Sequence, residues 1–318
     1  MKTPIVCVAA LASQVLASPV AYQDLVQDKN PLLWYRFDEA VGATETINYG
    51  TLGTDFNGVF FGPVFQGDAS LQGDTAACFE HPSQPYIESA SDVPASLTGN
   101  PTFTAEAIVR IFPTAQNPFY APFLHWGAPR TVQSVYFSIL RNDESRPYVG
   151  FYNGGGGPVE RYTLGQWVHI VWTRDAGDGA NDDLTGSRLF VNGEEVDLLR
   201  DTSLPGAGVP DVQSSPFYIQ RATDAVRYFS GNMDEVVLYD RLLTEAEISA
   251  HYDALVNGAR CPADLDGDGA LTVFDFLAFQ TAFDAGERIA DFNPTTCTPN
   301  LDIFDFLAFQ NAFDAGCP

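Results

Sequence analysis

Between about Pro31 and Tyr239, apolar residues come in short or alternating runs separated by clusters of Gly, Pro, Asn and Asp, a rhythm that predicts an all-β sandwich. Strands are expected over 32–37, 56–61, 103–112, 135–140, 167–173, 188–191 and 233–239. In the third of these, Phe103, Ala105, Ala107, Val109 and Ile111 alternate with Thr104, Glu106 and Arg110, as a strand does when one face of its sheet is buried. Val168, Ile170 and Trp172 repeat the habit, and the stretches 154–158 and 176–186 read as the longest polar loops. Thr244 followed by Glu247 is a capping-box pair, which predicts a short helix carrying Ile248, Tyr252 and Leu255 on one side.

After a short hinge at 256–262, containing Gly258 and Pro262, the strand pattern gives way to a duplication. Residues 274–286 recur as 304–316 with one difference, Thr281 against Asn311. Phe276, Phe279, Gln280 and Phe283 fall at helical spacing, as do Phe306, Phe309, Gln310 and Phe313, and Gly286 and Gly316 stand where helix C-caps are expected. Two antiparallel helices facing each other would bury both aromatic stripes.

Directly before the first of these helices, residues 264–275 place Asp264, Asp266, Asp268 and Asp275 at positions 1, 3, 5 and 12 of a twelve-residue loop, with Gly269 at position 6. That is the spacing of an EF-hand-type calcium loop, with Asp in place of the usual terminal Glu. Calcium takes six to eight oxygens. The three aspartates supply side chains, Ala270 a backbone carbonyl, Thr272 a direct or water-mediated contact, and Asp275 a closing carboxylate. Four acids this close repel one another, so cation binding is expected to couple to folding of the module. The second copy is less regular. Asp291 and Asn293 open a loop and Asp305 closes it, but the segment between is three residues too long and contains Cys297. Either a second calcium bound through these residues or a metal-free loop stabilised by a disulfide fits that pattern.

Composition narrows the setting. The 41 acidic against 16 basic side chains give a net charge of -25, which repels nucleic acid and anionic membrane and attracts divalent cations. Residues 1–21 combine Lys2, an apolar run over 4–16 and Val15-Leu16-Ala17, the pattern of a secretory signal peptide cut near Ala17 or Ala21. No stretch of the remaining chain approaches the ~20 apolar residues that span a bilayer. Export places Cys78, Cys261, Cys297 and Cys317 in an oxidising compartment where they can pair. A Cys261–Cys317 bridge would tie the two ends of the tail, and Cys297 is an equally eligible partner.

Residues 261–318, two calcium-loop-plus-helix units ending in Ala-Gly-Cys, resemble a type I dockerin-like duplication. That resemblance implies a docking module for a cohesin-like or other surface scaffold protein. Val273-Phe274 and Ile303-Phe304 stand where cellulosomal dockerins often carry Ser or Thr, a departure that points away from a cellulosomal partner. The region 30–255 resembles the laminin-G-like, concanavalin A-like jelly roll through Trp34-Tyr-Arg-Phe-Asp-Glu39, the run from Gln166 to Thr173, Leu189-Phe-Val-Asn-Gly193 and the run from Gly231 to Ile248. The resemblance implies a glycan or extracellular protein as ligand. It also implies a structural calcium between first and last strands, for which Asp38 and Asp234 are the matching acids, unless they serve as cap or ion-pair residues. The expected organisation is thus a signal peptide (1–21), a mainly β sandwich (30–255), a linker (256–262) and a small α-helical, EF-hand-type tail (263–318).

No catalytic residue is assigned. A laminarinase-type strand needs two or three aligned carboxylates, and Glu194-Glu195-Val196-Asp197 lacks the final acid. His81, His125, His169 and His251 lie in no nucleophile or zinc motif, and His169 reads as a packed residue. Trp126, Tyr148, Tyr152 and Tyr162 would suit sugar stacking if exposed. The expected function is that of a secreted, non-catalytic binding protein with a calcium-dependent attachment tail. The alternatives are an assembly protein with an inert sandwich as spacer and, behind it, a cryptic polysaccharide hydrolase.

Overall fold

The computed structural model describes residues 21–316 except 71–73, 81–82, 114–119, 141–142, 160, 162, 178–181, 205–207, 224, 228–229 and 259–260. The signal-peptide region and Cys317 therefore lie outside the described residues. Two antiparallel sheets carry the chain. The eight-stranded sheet runs, in spatial order, Glu194–Val196, Ser187–Val191, Trp167–Arg174, Phe103–Ile111, Gly231–Tyr239, Thr75–Phe79 and Phe65–Ala69, with Leu33–Tyr35 paired to Gly231–Tyr239. The nine-stranded sheet runs Leu199–Arg200, Gly154–Gly157, Asp143–Phe151, Ser134–Leu140, Ala121–Gly127, Pro216–Ile219, Tyr86–Asp92, Gly58–Phe61 and Glu45–Thr46. The inward side chains of both sheets form one core. Phe103 of the first sheet meets Trp126 of the second at 5.4 Å between ring centroids, and Trp172 of the first meets Phe151 of the second at 5.9 Å. Each such side chain contributes roughly 1.5–3 kcal/mol by leaving water.

The alternation along 103–111 predicts one buried face, but the structure buries both. Thr104 and Glu106 are as inaccessible as Ala105 and Ala107. The reason lies outside the strand. Helices α1 (Tyr22–Asp28) and α2 (Glu245–Gly258) cover the outer face of the eight-stranded sheet, and Tyr22, Val26, Ile248 and Leu255 pack there against Ile108, Val171 and Val237. The capping box at the start of α2 forms as its sequence predicts, with the Thr244 N–H donating to Glu247 Oε2 at 2.8 Å and the Glu247 N–H to Thr244 Oγ1 at 3.2 Å. Glu106 is accommodated because Tyr22 Oη donates to it at 2.8 Å, while His169 Nε2 and His251 Nδ1 lie 2.8 and 3.1 Å from its oxygens.

The stretch 154–158 is not a loop. Gly154–Gly157 is a strand paired with Asp143–Phe151 and Leu199–Arg200. Close backbone approach favours glycine there: a Cβ on Gly156 would sit 2.1 Å from the Leu199 carbonyl oxygen, and one on Gly157 2.4 Å from that of Pro147.

In the tail, α3 (Val273–Ala285) and α4 (Ile303–Ala315) are the duplicated segments. Their aromatic stripes meet: Phe279 and Phe309 stack at 4.2 Å, and Phe276 faces Phe306 at 6.0 Å. Gln280 and Gln310, though at stripe spacing, point to solvent. Gly286 caps α3 in the left-handed conformation, whereas Gly316 follows α4 with an extended ψ. Among the described residues no helix is long and apolar enough to cross a membrane.

The cysteine pairing differs from one of the two arrangements open at the sequence level. Cys297 joins Cys78 of the sandwich, not Cys261. Cys261 is itself disulfide-bonded, and its expected partner Cys317 is outside the described residues. Spacing along the tail cannot reveal the first bridge, since its partner lies 219 positions away.

Candidate functional site

The aspartate loop is shaped by its own backbone. Asp264 accepts N–H bonds from Gly267, Asp268 and Gly269, Asp266 accepts from Asp268, and Asp268 accepts from Ala270. Gly269 adopts φ 83°, a left-handed turn that costs glycine little. These bonds curl the chain until ligand oxygens of Asp264, Asp266 and Asp268 lie within 4.8 Å of one another, the only such convergence of three metal-ligating side chains among the described residues. Partial desolvation, then the charges of Asp268, Asp275 and Asp264, hold the Asp266 carboxyl above its usual range. The donor set is all oxygen and strongly anionic, which fits a hard divalent cation. Asp275 is placed differently. It is fully buried and accepts from the N–H groups of Leu265 and Thr272 at 2.9 and 2.7 Å, closing a capping box with Thr272 at the start of α3. It thereby ties position 12 to the start of the loop, while Ala270 and Thr272 lie on the segment between.

The second loop is built on other lines. Asp305 repeats the role of Asp275, accepting from Asn293 and Asp302 at 2.8 Å each, so Asn293 contributes its backbone N–H. Burial and the adjoining Asp305 raise the Asp291 carboxyl to about 7, against the opposing charges of Arg110 and Arg288. Arg110 belongs to the sandwich, and Arg288 bonds both to Asp68 of the sandwich and to the Cys297 carbonyl. This loop thus faces the sandwich next to the Cys78–Cys297 bridge.

Asp38 and Asp234 come together with Asp74 and Glu235 around Arg36. The guanidinium lies 2.8 Å from Asp38, 3.8 Å from Asp74 and 3.9 Å from Glu235. Asp234 is fully buried and its Oδ2 has no hydrogen-bond partner. Burial, then the neighbouring carboxylates, hold both Asp234 and Glu235 above the ordinary range. Arg36 satisfies the ion-pair reading for Asp38, while the orphaned oxygen of Asp234 fits the cation reading.

Of the aromatics expected to stack sugars, Trp126 is sealed in the core, Tyr148 is buried, Tyr152 is half-buried and Tyr162 lies outside the described residues. The exposed stack is elsewhere on the nine-stranded sheet. Phe61 and Tyr86 are cross-strand partners whose rings stack at 4.6 Å and 6°. Arg221 lies 4.6 Å over the Tyr86 ring, 5.3 Å over Tyr218 and 3.3 Å from Glu88. No sequence signal could have found this group, because its members come from three separated segments that only the sheet register aligns. Glu195, in the segment weighed for hydrolysis, is exposed and held by Arg188.

The tail carries a further surface feature in duplicate. Val273, Phe274 and Leu277 on α3 are 64, 64 and 49% exposed, and their counterparts Ile303, Phe304 and Leu307 on α4 are 61, 59 and 45% exposed. Large apolar side chains are thus exposed at the same positions of both helices.

Comparison with curated proteins finds no match. Among solved structures the chain is similar to domain 4 of the extracellular arabinanase AbnA from Geobacillus stearothermophilus, seen with arabinotriose (17% identity, 70% of this chain, 98% of that one, TM-score 0.46). It is also similar to the binding domain of Paraclostridial Mosquitocidal Protein 1 (15% identity, 73% and 53%, TM-score 0.48) and to the botulinum neurotoxin serotype D binding domain (10% identity, 72% and 53%, TM-score 0.49). The chain spans about half the length of these two toxin chains. A family model, Laminin_G_3, described as the concanavalin A-like lectin/glucanases superfamily, matches residues 83–249, just over half of the sequence, and the chain belongs to that superfamily.

Proposed function

We propose that the protein is an exported, non-catalytic binding protein: its sandwich recognises a carbohydrate or an extracellular protein, and its tail, shaped by one calcium ion, attaches it to a surface or scaffold partner. The observation that carries this reading is the convergence of Asp264, Asp266 and Asp268 immediately before a helix whose apolar exposed residues recur on a twin helix. A cation at the three carboxylates relieves their repulsion and orders the start of α3, and with it half of the duplicated apolar surface. Calcium would be held by Asp264, Asp266 and Asp268, by the Ala270 carbonyl, by Thr272, and by Asp275 once its backbone bonds are exchanged. On the sandwich, the Phe61–Tyr86 stack beside Arg221 and Glu88 supplies a flat apolar ring next to charged donors and acceptors, the combination that suits a sugar ring.

The test is calorimetry on the full chain, stripped with chelator and titrated with calcium chloride, followed by a glycan array in both states. A saturable heat lost in Asp264→Asn and Asp268→Asn, together with glycan binding weakened by Phe61→Ser, supports the reading. Absence of any calcium heat, with an identical thermal midpoint in chelator, removes the tail's role. Calcium binding without any glycan or protein ligand reduces the sandwich to a spacer, and release of reducing sugar from a polysaccharide panel overturns the non-catalytic assignment.

A further inference from the structure

Asp234 and Glu235 are consecutive residues of the strand Gly231–Tyr239, and consecutive side chains of a regular strand point to opposite faces of the sheet. Here they do not part. The pairing with Phe103–Ile111 shifts register between Asp234 and Val237, and Glu235 takes φ 49°, in the left-handed region that residues other than glycine seldom enter. Both carboxyls are fully buried, and both feel the charges of Asp38 and Asp74. The bulge thus gathers into one group two acids that a straight strand would separate.

Arg36 is the cation that meets this group. Its guanidinium lies 2.8 Å from Asp38, but only 3.8 and 3.9 Å from Asp74 and Glu235. Among the described residues, neither its Nε nor the Oδ2 of Asp234 has a hydrogen-bond partner. A buried carboxylate oxygen left in that state is costly. Glu235 is tied elsewhere, accepting from the Trp34 indole N–H and from Gln23. With Arg36 among them, no three of these carboxylates bring ligand oxygens within 4.8 Å of one another, a convergence that the tail aspartates do reach. The same guanidinium is 5.5 Å from the centroid of the Trp34 ring and 5.3 Å from that of Tyr49, two rings that meet edge to face at 5.9 Å. Aromatic faces attract guanidinium, so a short movement of one side chain takes it from the acids to the rings.

We propose that Arg36 is a built-in counter-cation that gates a divalent-cation site at Asp38 and Asp234. Without metal, the guanidinium offsets part of the repulsion among the acids. When a hard divalent ion is supplied, Arg36 withdraws onto the Trp34 and Tyr49 rings and the carboxylates close on the ion. An ion between the first and last strands is what the sequence resemblance implies; the gate, and with it a sandwich that stands without metal, is what these residues add.

The test titrates the full chain carrying Asp264→Asn and Asp268→Asn, which silence the tail loop, with terbium chloride and reads terbium emission sensitised by tryptophan. Trp34 borders the group, and residues 261–318 contain no tryptophan. Saturable emission is expected, reversed by calcium and abolished by Asp234→Asn. Arg36→Gln, which removes the competing charge, is expected to lower the half-saturating terbium concentration at least about tenfold. Tyr49→Ser, at a position 48% exposed, is expected to raise it severalfold by removing a resting place of the displaced guanidinium. A half-saturation unchanged or raised in Arg36→Gln overturns the proposal, as does absence of emission from both the parent and that variant. Where Arg36→Gln does not fold, an unchanged half-saturation in Tyr49→Ser overturns it instead. The tail loop is silent throughout, so failure here leaves the calcium reading of the tail untouched.

Discussion

Cys78, on an interior strand of the eight-stranded sheet, and Cys297, in the connection between α3 and α4, form a disulfide with Cα atoms 5.6 Å apart across 219 positions. Both are fully buried, with Phe112 beside them. The tail is therefore not a module on a free tether: its irregular second loop is bonded to the sandwich, while the regular first loop and the duplicated apolar residues face outward. Cys297→Ser is expected to lower stability by about 2–5 kcal/mol, since the bridge closes a very long loop in the unfolded chain. Hydrogen exchange should show the increase in opening concentrated in residues 288–316. Uniform exchange and an unchanged denaturation midpoint would show that the bridge does not hold the tail.

Glu106 makes a second prediction. Burial alone would push its carboxyl up, but the charges and hydrogen bonds of His251 and His169 outweigh it and hold the group well below the ordinary range. Glu106→Gln keeps the volume but removes the negative charge and replaces one of the two oxygens shared by Tyr22, His169 and His251 with an NH2 donor. A loss of about 3–5 kcal/mol is expected by chemical denaturation, because one partner of a buried charged network is gone. A loss under 1 kcal/mol would mean that the imidazoles are satisfied without the anion.

Glu247 supplies a pH dependence. Burial opposes ionisation, but hydrogen bonds from the Thr244 backbone, Lys29 and the Thr244 hydroxyl, with the charge of Arg241, bring its carboxyl from 4.5 down to about 2. With a depressed folded value, the unfolded chain binds more protons between those limits, so the contribution is present above about pH 4.5 and is lost as pH falls towards 2. Because the side chain is partly exposed, Glu247→Gln is expected to cost only about 0.5–1 kcal/mol at neutral pH. Thermal melts from pH 5 to pH 2 should fall less steeply in the variant, and parallel curves would refute the assignment.

The two tail helices separate core from surface. Phe309 is fully buried and stacked on Phe279, so Phe309→Ala is expected to cost about 3–5 kcal/mol within the tail. Phe304, five positions earlier, is 59% exposed, and Phe304→Ser should change stability by no more than about 0.5 kcal/mol while reducing self-association at high concentration. Circular dichroism melts and light scattering check the pair. A Phe304→Ser variant as unstable as Phe309→Ala would place that ring in the core.

Local pattern alone was enough for the sandwich class, the capped start of α2, the duplicated helices and the aspartate loop, because each is written in residues close together in the chain: alternation with period two, a cap three residues from its partner, acids at fixed offsets. The position of Asp275 under its own backbone bonds was half legible, since the capping-box spacing and the calcium-loop spacing coincide there. What only the tertiary structure decided involves residues far apart. The buried outer face of the 103–111 strand depends on helices more than 70 positions away in one direction and more than 130 in the other. The Cys78–Cys297 bridge and the Phe61–Tyr86–Arg221 stack depend on sheet register and on which distant segments lie side by side. Periodicity along a chain says which face of an element is apolar; it carries no information about which distant element will cover that face, and every long-range feature of this protein follows from that second choice.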